Sequence, residues 1–176
     1  MIRPIALAPA SWQPDPALAA AAGPEPAGAG PDQILPLDPL GARAGALLRE
    51  GILETPGGLP SRDREVVAMA VARALGCVYT ANLHADRFIA AAGPRELAAE
   101  ILARGSEAPL TARLHALVTF AERMAATPPT ATAADFTALR AAGLTDPEIM
   151  DALNVSALVS ASARLALALG QTLPGS

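Results

Sequence analysis

The chain has 176 residues, of which 52% are hydrophobic and 17% charged; that is one ordinary domain with enough apolar surface for a sizeable core, and it excludes a mostly disordered chain. The net charge of −4 and the pI near 5.1 leave no basic patch to neutralise phosphates, so nucleic acid is not an expected partner. A single Cys excludes an intramolecular disulfide and a zinc site built from several cysteines, and it suits a reducing cytoplasm.

Aromatic residues are only 3% of the chain, so the core must come from Leu, Val, Ile, Met and much Ala. Ala is the best helix former, and this composition points to an all-α fold. All 13 basic residues are Arg, which carries no functional weight. Residues 1–38 read as a Pro/Ala-rich arm. Nine of the 17 prolines fall within the first 40 residues, where each interior Pro would cost a helix about 3 kcal/mol. The arm is expected to be extended or disordered, or to wrap a neighbouring subunit through Trp12 and Ile34-Leu35. Its start, MIRPIALAPASW, is a poor signal peptide.

From residue 39 to 176 the pattern is helical. A first helix is expected from Pro39 to Leu53, ended by Thr55-Pro56-Gly57-Gly58. Ser61 reads as the N-cap of a second, which runs to Gly76. A third covers Cys77 to Ala92, closed by Gly93-Pro94, and a short fourth covers Arg95 to Ala103 and stops near Gly105. Thr111 caps a fifth, whose Leu114, Leu117, Val118, Ala121, Met124 and Ala125 share one face; Pro128-Pro129 stop it. Thr132 with Asp135 opens a sixth, ending at Gly143. Thr145-Asp146-Pro147-Glu148 is a capping box for the last helix, which reaches Leu169-Gly170. That helix is apolar nearly all round from Ala152 to Ala163, so it is expected to be central and buried. Its apolar stretch, Asp151 to Arg164, is too short to span a bilayer. A soluble, cytoplasmic protein of six to seven helices, with no membrane partner, is the expectation.

Reactive groups concentrate between Glu65 and His84. Cys77, Thr80 and His84 stand at i, i+3 and i+7, which puts them on one face of the third helix. Cys77 lies near the helix start, where the positive end of the dipole favours a thiolate. Glu65 precedes Cys77 by twelve residues, so an antiparallel second helix could return it beside His84. A carboxylate that orients an imidazole, which in turn serves a thiol, is the logic of an activated nucleophile. Against that stands the ordinary reading, in which Cys77 is a small core residue and His84 a hydrogen-bonded one. His115 has no acidic or thiol neighbour on its face and reads as structural. Tyr79 reads as packing, and Arg87 as a surface residue or an anion contact. No metal and no cofactor is expected, because Glu65, Cys77 and His84 have no further clustered ligands.

The run GGLPSRDREVVAMAVARALGCVYTANLHADRF resembles the signature of the alkylhydroperoxidase D-like proteins of the carboxymuconolactone decarboxylase superfamily: a Glu, then twelve residues later Cys-x-x-Cys-x-x-x-His. The rhythm from Pro109 to Leu153 is similar too, and the resemblance covers roughly residues 40–173. It implies an all-α alkylhydroperoxidase D-like bundle, association into a dimer, trimer or hexamer, and antioxidant, peroxidase-related oxidoreductase chemistry. The implied reactants are a hydroperoxide or other small molecule and a thiol or lipoyl-type reductant. Residue by residue, Glu65 and His84 match the family's proton relay. Cys77 matches its resolving thiol, and Tyr79 a position where many members also have Tyr. Thr80 stands where the family has the cysteine that attacks peroxide. With Thr80 the family's disulfide cannot form. Ala163-Arg164 also stands where members often have Asn-Arg. The resemblance therefore implies a degenerate Cys-x-x-Thr site of weak activity. Two alternatives are a cofactor-free decarboxylase-type enzyme using His84 and a silent oligomeric scaffold.

Overall fold

The computed structural model of the chain describes residues 39–169. The expected arm and the expected stop at Gly170 lie outside them. The described residues are all-α, with no strand. The helices are α1 (Pro39–Arg49), α2 (Ser61–Ala74), α3 (Val78–Ala90), α4 (Arg95–Arg104), α5 (Ala112–Ala125), α6 (Ala133–Ala141) and α7 (Asp146–Leu169). A π-helical turn, Glu50–Glu54, continues α1, so the α-helical hydrogen bonding ends before the expected Leu53. None of these helices is long and apolar enough to cross a membrane.

The punctuation follows from backbone chemistry. α2 ends in a Schellman motif: the N–H of Gly76 reaches the carbonyl of Arg73 at 2.9 Å, and that of Cys77 reaches Ala72 at 2.9 Å. Gly76 takes the left-handed conformation this needs, at φ 71°. The same motif closes α3, but there the left-handed residue is Ala92, at φ 61°. The Gly93 that follows lies so close to the Phe88 ring that a Cβ would sit 2.3 Å from it. Thr111 caps α5, its hydroxyl accepting from Leu114 N–H at 3.4 Å. At the start of α6, Asp135 accepts from the N–H of Thr132 at 2.7 Å. At the start of α7, Glu148 accepts from the N–H of Thr145 at 2.7 Å. Ser61 is a correction. It is the first residue inside α2, and the Pro60 carbonyl starts the ladder by accepting from Arg64 N–H at 3.0 Å.

The central helix is α2, not α7. Every residue from Asp63 to Ala72 is buried, and α2 packs on α3, α4, α5 and α7. The expectation for α7 rested on its apolar character all round, but in the single chain only one face is covered. Ile149, Ala152, Val155, Ser156, Val159, Ala163 and Ala166 are buried, while Met150 and Leu165 are 55% and 43% exposed. α2 can be central despite three buried charged residues because each of them is partnered. Asp63 receives Arg113 from α5 at 2.9 Å. Arg64 donates to the carbonyls of Thr55 and Gly57 and to Asp151 of α7. The third charge, Glu65, belongs to the site.

Candidate active site

α2 and α3 are joined by only Leu75-Gly76-Cys77. The Schellman turn there reverses the chain at once, so α3 runs back along α2. A residue near the head of α2 must then meet one well along α3. Glu65 Oε2 stands 2.7 Å from His84 Nδ1. An ionised carboxylate only accepts, so in this contact Nδ1 is the donor. Both side chains are enclosed, at 4% and 6% exposure. Such a pair is held rigidly because neither partner has water to turn to.

Cys77 is the N-cap residue of α3. Its Sγ donates to Thr80 Oγ1 at 3.1 Å, and Thr80 is one helical turn before His84. The structure thus puts Cys77, Thr80 and His84 along one buried side of α3, with Glu65 of α2 meeting His84 at one end and Cys77 meeting Thr80 at the other. Cys77 is completely buried and packs against Ala163 and Ala166 of α7, with Leu75 and Tyr79 alongside. An open cleft of about 520 Å³ runs between α3 and α4, lined by Tyr79, Leu83, Asp86 and Arg95 among others; Cys77, Thr80 and His84 do not line it.

One residue falls differently from the sequence reading. Arg87 is not a bare surface residue: its Nε lies 3.2 Å from Glu65 Oε1 and its Nη2 3.2 Å from Glu54 Oε1. One turn beyond His84, it reaches the same carboxylate from the other side. His115, read from the sequence as structural rather than catalytic, lies outside the cluster. It is exposed on α5, along a cleft also lined by Arg123 and Asp135. Sequence reasoning missed Glu54, Asp63 and Arg64. The available signal was the charged run Arg62-Asp63-Arg64-Glu65 at the head of an otherwise apolar helix. Charges placed there must be paired if the helix is buried.

The carboxymuconolactone decarboxylase family model matches residues 39–123, which span α1 to most of α5 and contain the whole cluster. A peroxidase-related protein from Ralstonia eutropha, described as an alkylhydroperoxidase AhpD core, is 25% identical with a TM-score of 0.71, over 77% of this chain and 71% of that one. A peroxidase-related protein from Silicibacter sp. TM1040 is also 25% identical, with a TM-score of 0.68, over 74% and 68%. The debrominase Bmp8, in a variant bound to 2,3,4-tribromopyrrole, shares the fold at 16% identity and a TM-score of 0.71, over 81% and 76%. No curated protein matches the chain in sequence. In sequence and fold the chain is similar to the alkylhydroperoxidase D-like proteins of the carboxymuconolactone decarboxylase superfamily.

Proposed function

We propose that the chain is a peroxidase-related thiol oxidoreductase that works with one cysteine and is weak toward alkyl hydroperoxides. The observation that supports this reading is the buried Glu65–His84 contact of 2.7 Å, one turn from Thr80 and two from Cys77. In this reading the Cys77 proton leaves through the Thr80 hydroxyl, 3.1 Å from Sγ, and is relayed to His84, whose imidazolium Glu65 stabilises. The thiolate attacks the outer peroxide oxygen and the O–O bond breaks. The leaving alkoxide takes the proton from His84 and departs as an alcohol, and the sulfur is left as a sulfenic acid. An external thiol condenses with the sulfenic acid and releases water. A second thiol then breaks the mixed disulfide and restores Cys77.

A scaffold without chemistry is the second reading, favoured by the complete burial of Cys77 against Ala163 and Ala166. Both readings include self-association, because Leu47, Leu48, Val78, Leu83, Met150 and Leu165 are all more than 40% exposed in the single chain. The single thiol suits a cytoplasmic setting.

The test is peroxide and alkylating-reagent kinetics on Cys77 in the full chain, with sulfenate trapping followed by mass spectrometry. The substrates are alkyl hydroperoxides and 2,3,4-tribromopyrrole, since a thiolate that attacks oxygen also attacks halogen. Oxidation of Cys77 that slows in His84→Ala supports the oxidoreductase. Equal rates in both proteins, or no modification, support the scaffold.

A further inference from the structure

We propose that Arg87 is a positioning residue: it clamps the far oxygen of Glu65, and Glu54 at the surface holds Arg87 in that pose. The inference rests on the oxidoreductase reading only for its consequence at Cys77. Glu65 has two oxygens, and both are engaged. Oε2 receives His84 Nδ1 at 2.7 Å, and Oε1 faces Arg87 Nε at 3.2 Å. A carboxylate held at one oxygen alone can swing about its last bond. Held at both, it has one orientation, and the imidazole plane and tautomer follow from it. Arg suits this position because its planar fork serves two acids at once, Nε toward Glu65 and Nη2 toward Glu54.

The clamp is anchored further out. Glu54 ends the π-helical turn, and the loop that follows it is tied down by Arg64. The Arg64 guanidinium donates to the carbonyls of Leu53, Thr55 and Gly57 and is itself held by Asp151 of α7. A chain of contacts thus runs from α7 through Arg64 to the 53–57 loop. From Glu54 it continues to Arg87, Glu65 and His84. Exposure falls along its inner part, from 54% at Glu54 through 33% at Arg87 to 4% at Glu65. The titratable groups against the Glu65–His84 pair are Arg87 of α3 and, behind it, Glu54. Asp151 of α7 is taken by Arg64, and Arg95 of α4 lies along the α3–α4 cleft beside Asp86.

The experiment compares the full chain with Arg87→Gln, Arg87→Lys and Glu54→Gln by nitrogen-15 NMR of the His84 ring. Cys77 alkylation is measured from pH 6 to pH 9, and circular dichroism checks the fold. The native ring is expected as the Nδ1–H tautomer. In Arg87→Gln the ring should become a mixture of tautomers, and alkylation near neutral pH should slow by about ten-fold. Arg87→Lys should restore part of both, and Glu54→Gln should give a smaller loss. An unchanged Nδ1–H signal in Arg87→Gln overturns the proposal. If the tautomer shifts while alkylation stays constant, the clamp stands and the oxidoreductase reading fails. If Arg87→Gln does not fold, the Arg87→Lys and Glu54→Gln spectra decide, and native signals in both overturn the clamp.

Discussion

Replacing Thr80 with Cys probes what the missing second thiol costs. The Cys77 Sγ already stands 3.1 Å from Thr80 Oγ1. A disulfide needs the sulfurs about 2.05 Å apart, so the gap to close is about 1 Å. The C–S bond of the new side chain is longer than the C–O bond it replaces, which helps. Rotation about χ1 of Cys77 and of the new Cys supplies the remainder without moving α3. A χ1 displaced by some 30° costs about 0.5–1.5 kcal/mol. Because 30 mV corresponds to about 1.4 kcal/mol for this two-electron couple, strain raises the reduction potential by roughly 10–30 mV. Helix-start dithiols span about −270 to −120 mV, and so modest a shift leaves the new pair inside that range. Thr80→Cys is therefore expected to oxidise reversibly and to turn over alkyl hydroperoxide with a dithiol reductant, while the native chain does so poorly or not at all. Peroxide consumption is assayed in parallel, and the disulfide is followed by mass spectrometry across a series of redox buffers. Failure of Thr80→Cys to form a disulfide in any buffer would refute the geometric reasoning. Fast native turnover would refute the claim that Thr80 cripples the site.

Ala92→Gly relieves a left-handed alanine at φ 61° and is expected to stabilise the fold by about 0.5–1 kcal/mol, a rise in Tm of about 1–4 °C; an unchanged or lower Tm counts against it. Gly93→Ala would push a Cβ to 2.3 Å from the Phe88 ring and should cost about 1–3 kcal/mol in denaturant unfolding; native stability would mean that the ring simply moves. The backbone N–H of Thr132 holds the Asp135 carboxyl below its usual range against its burial, and Arg123 adds to this. The N–H of Thr145 and then Arg113 do the same for Glu148. Both groups bind protons less readily folded than unfolded, so their stabilisation is complete above the ordinary carboxylate range near pH 4 and is lost as pH falls through the lower folded values. Tm should fall on acidification from about pH 4 to pH 2, and Asp135→Asn with Glu148→Gln should be less stable at pH 7 with a flatter acid decline; an equally steep decline would assign acid sensitivity elsewhere. Sedimentation at micromolar concentration should show an assembly that Met150→Glu with Leu165→Glu weakens, and a native monomer would end the self-association reading.

By itself the sequence determined what depends on neighbours a few residues apart. Ala content made the fold helical, and the caps at Thr111, Thr132 and Thr145 and the stops at Gly76 and Gly143 lie where local backbone chemistry requires them. Fixed helical spacing put Cys77, Thr80 and His84 on one face, and the short link between helices implied that Glu65 returns to His84. Pairing across elements far apart in the chain was decided only in the tertiary structure. Apolar periodicity alone favoured α7 as the central helix. α2 took that place because Arg113, Asp151, Arg87 and His84, supplied from α5, α7 and α3, neutralise or hydrogen-bond the charges at its head. Arg87 illustrates the same point: one turn past His84 it reads as a solvated surface cation, and only the packing of the Glu50–Glu54 turn and of α2 beside α3 brings two carboxylates within 3.2 Å of it. Desolvation makes an unpaired buried charge too costly to keep, so the positions of the partners, which no local pattern encodes, decide which helix is buried and which ions meet.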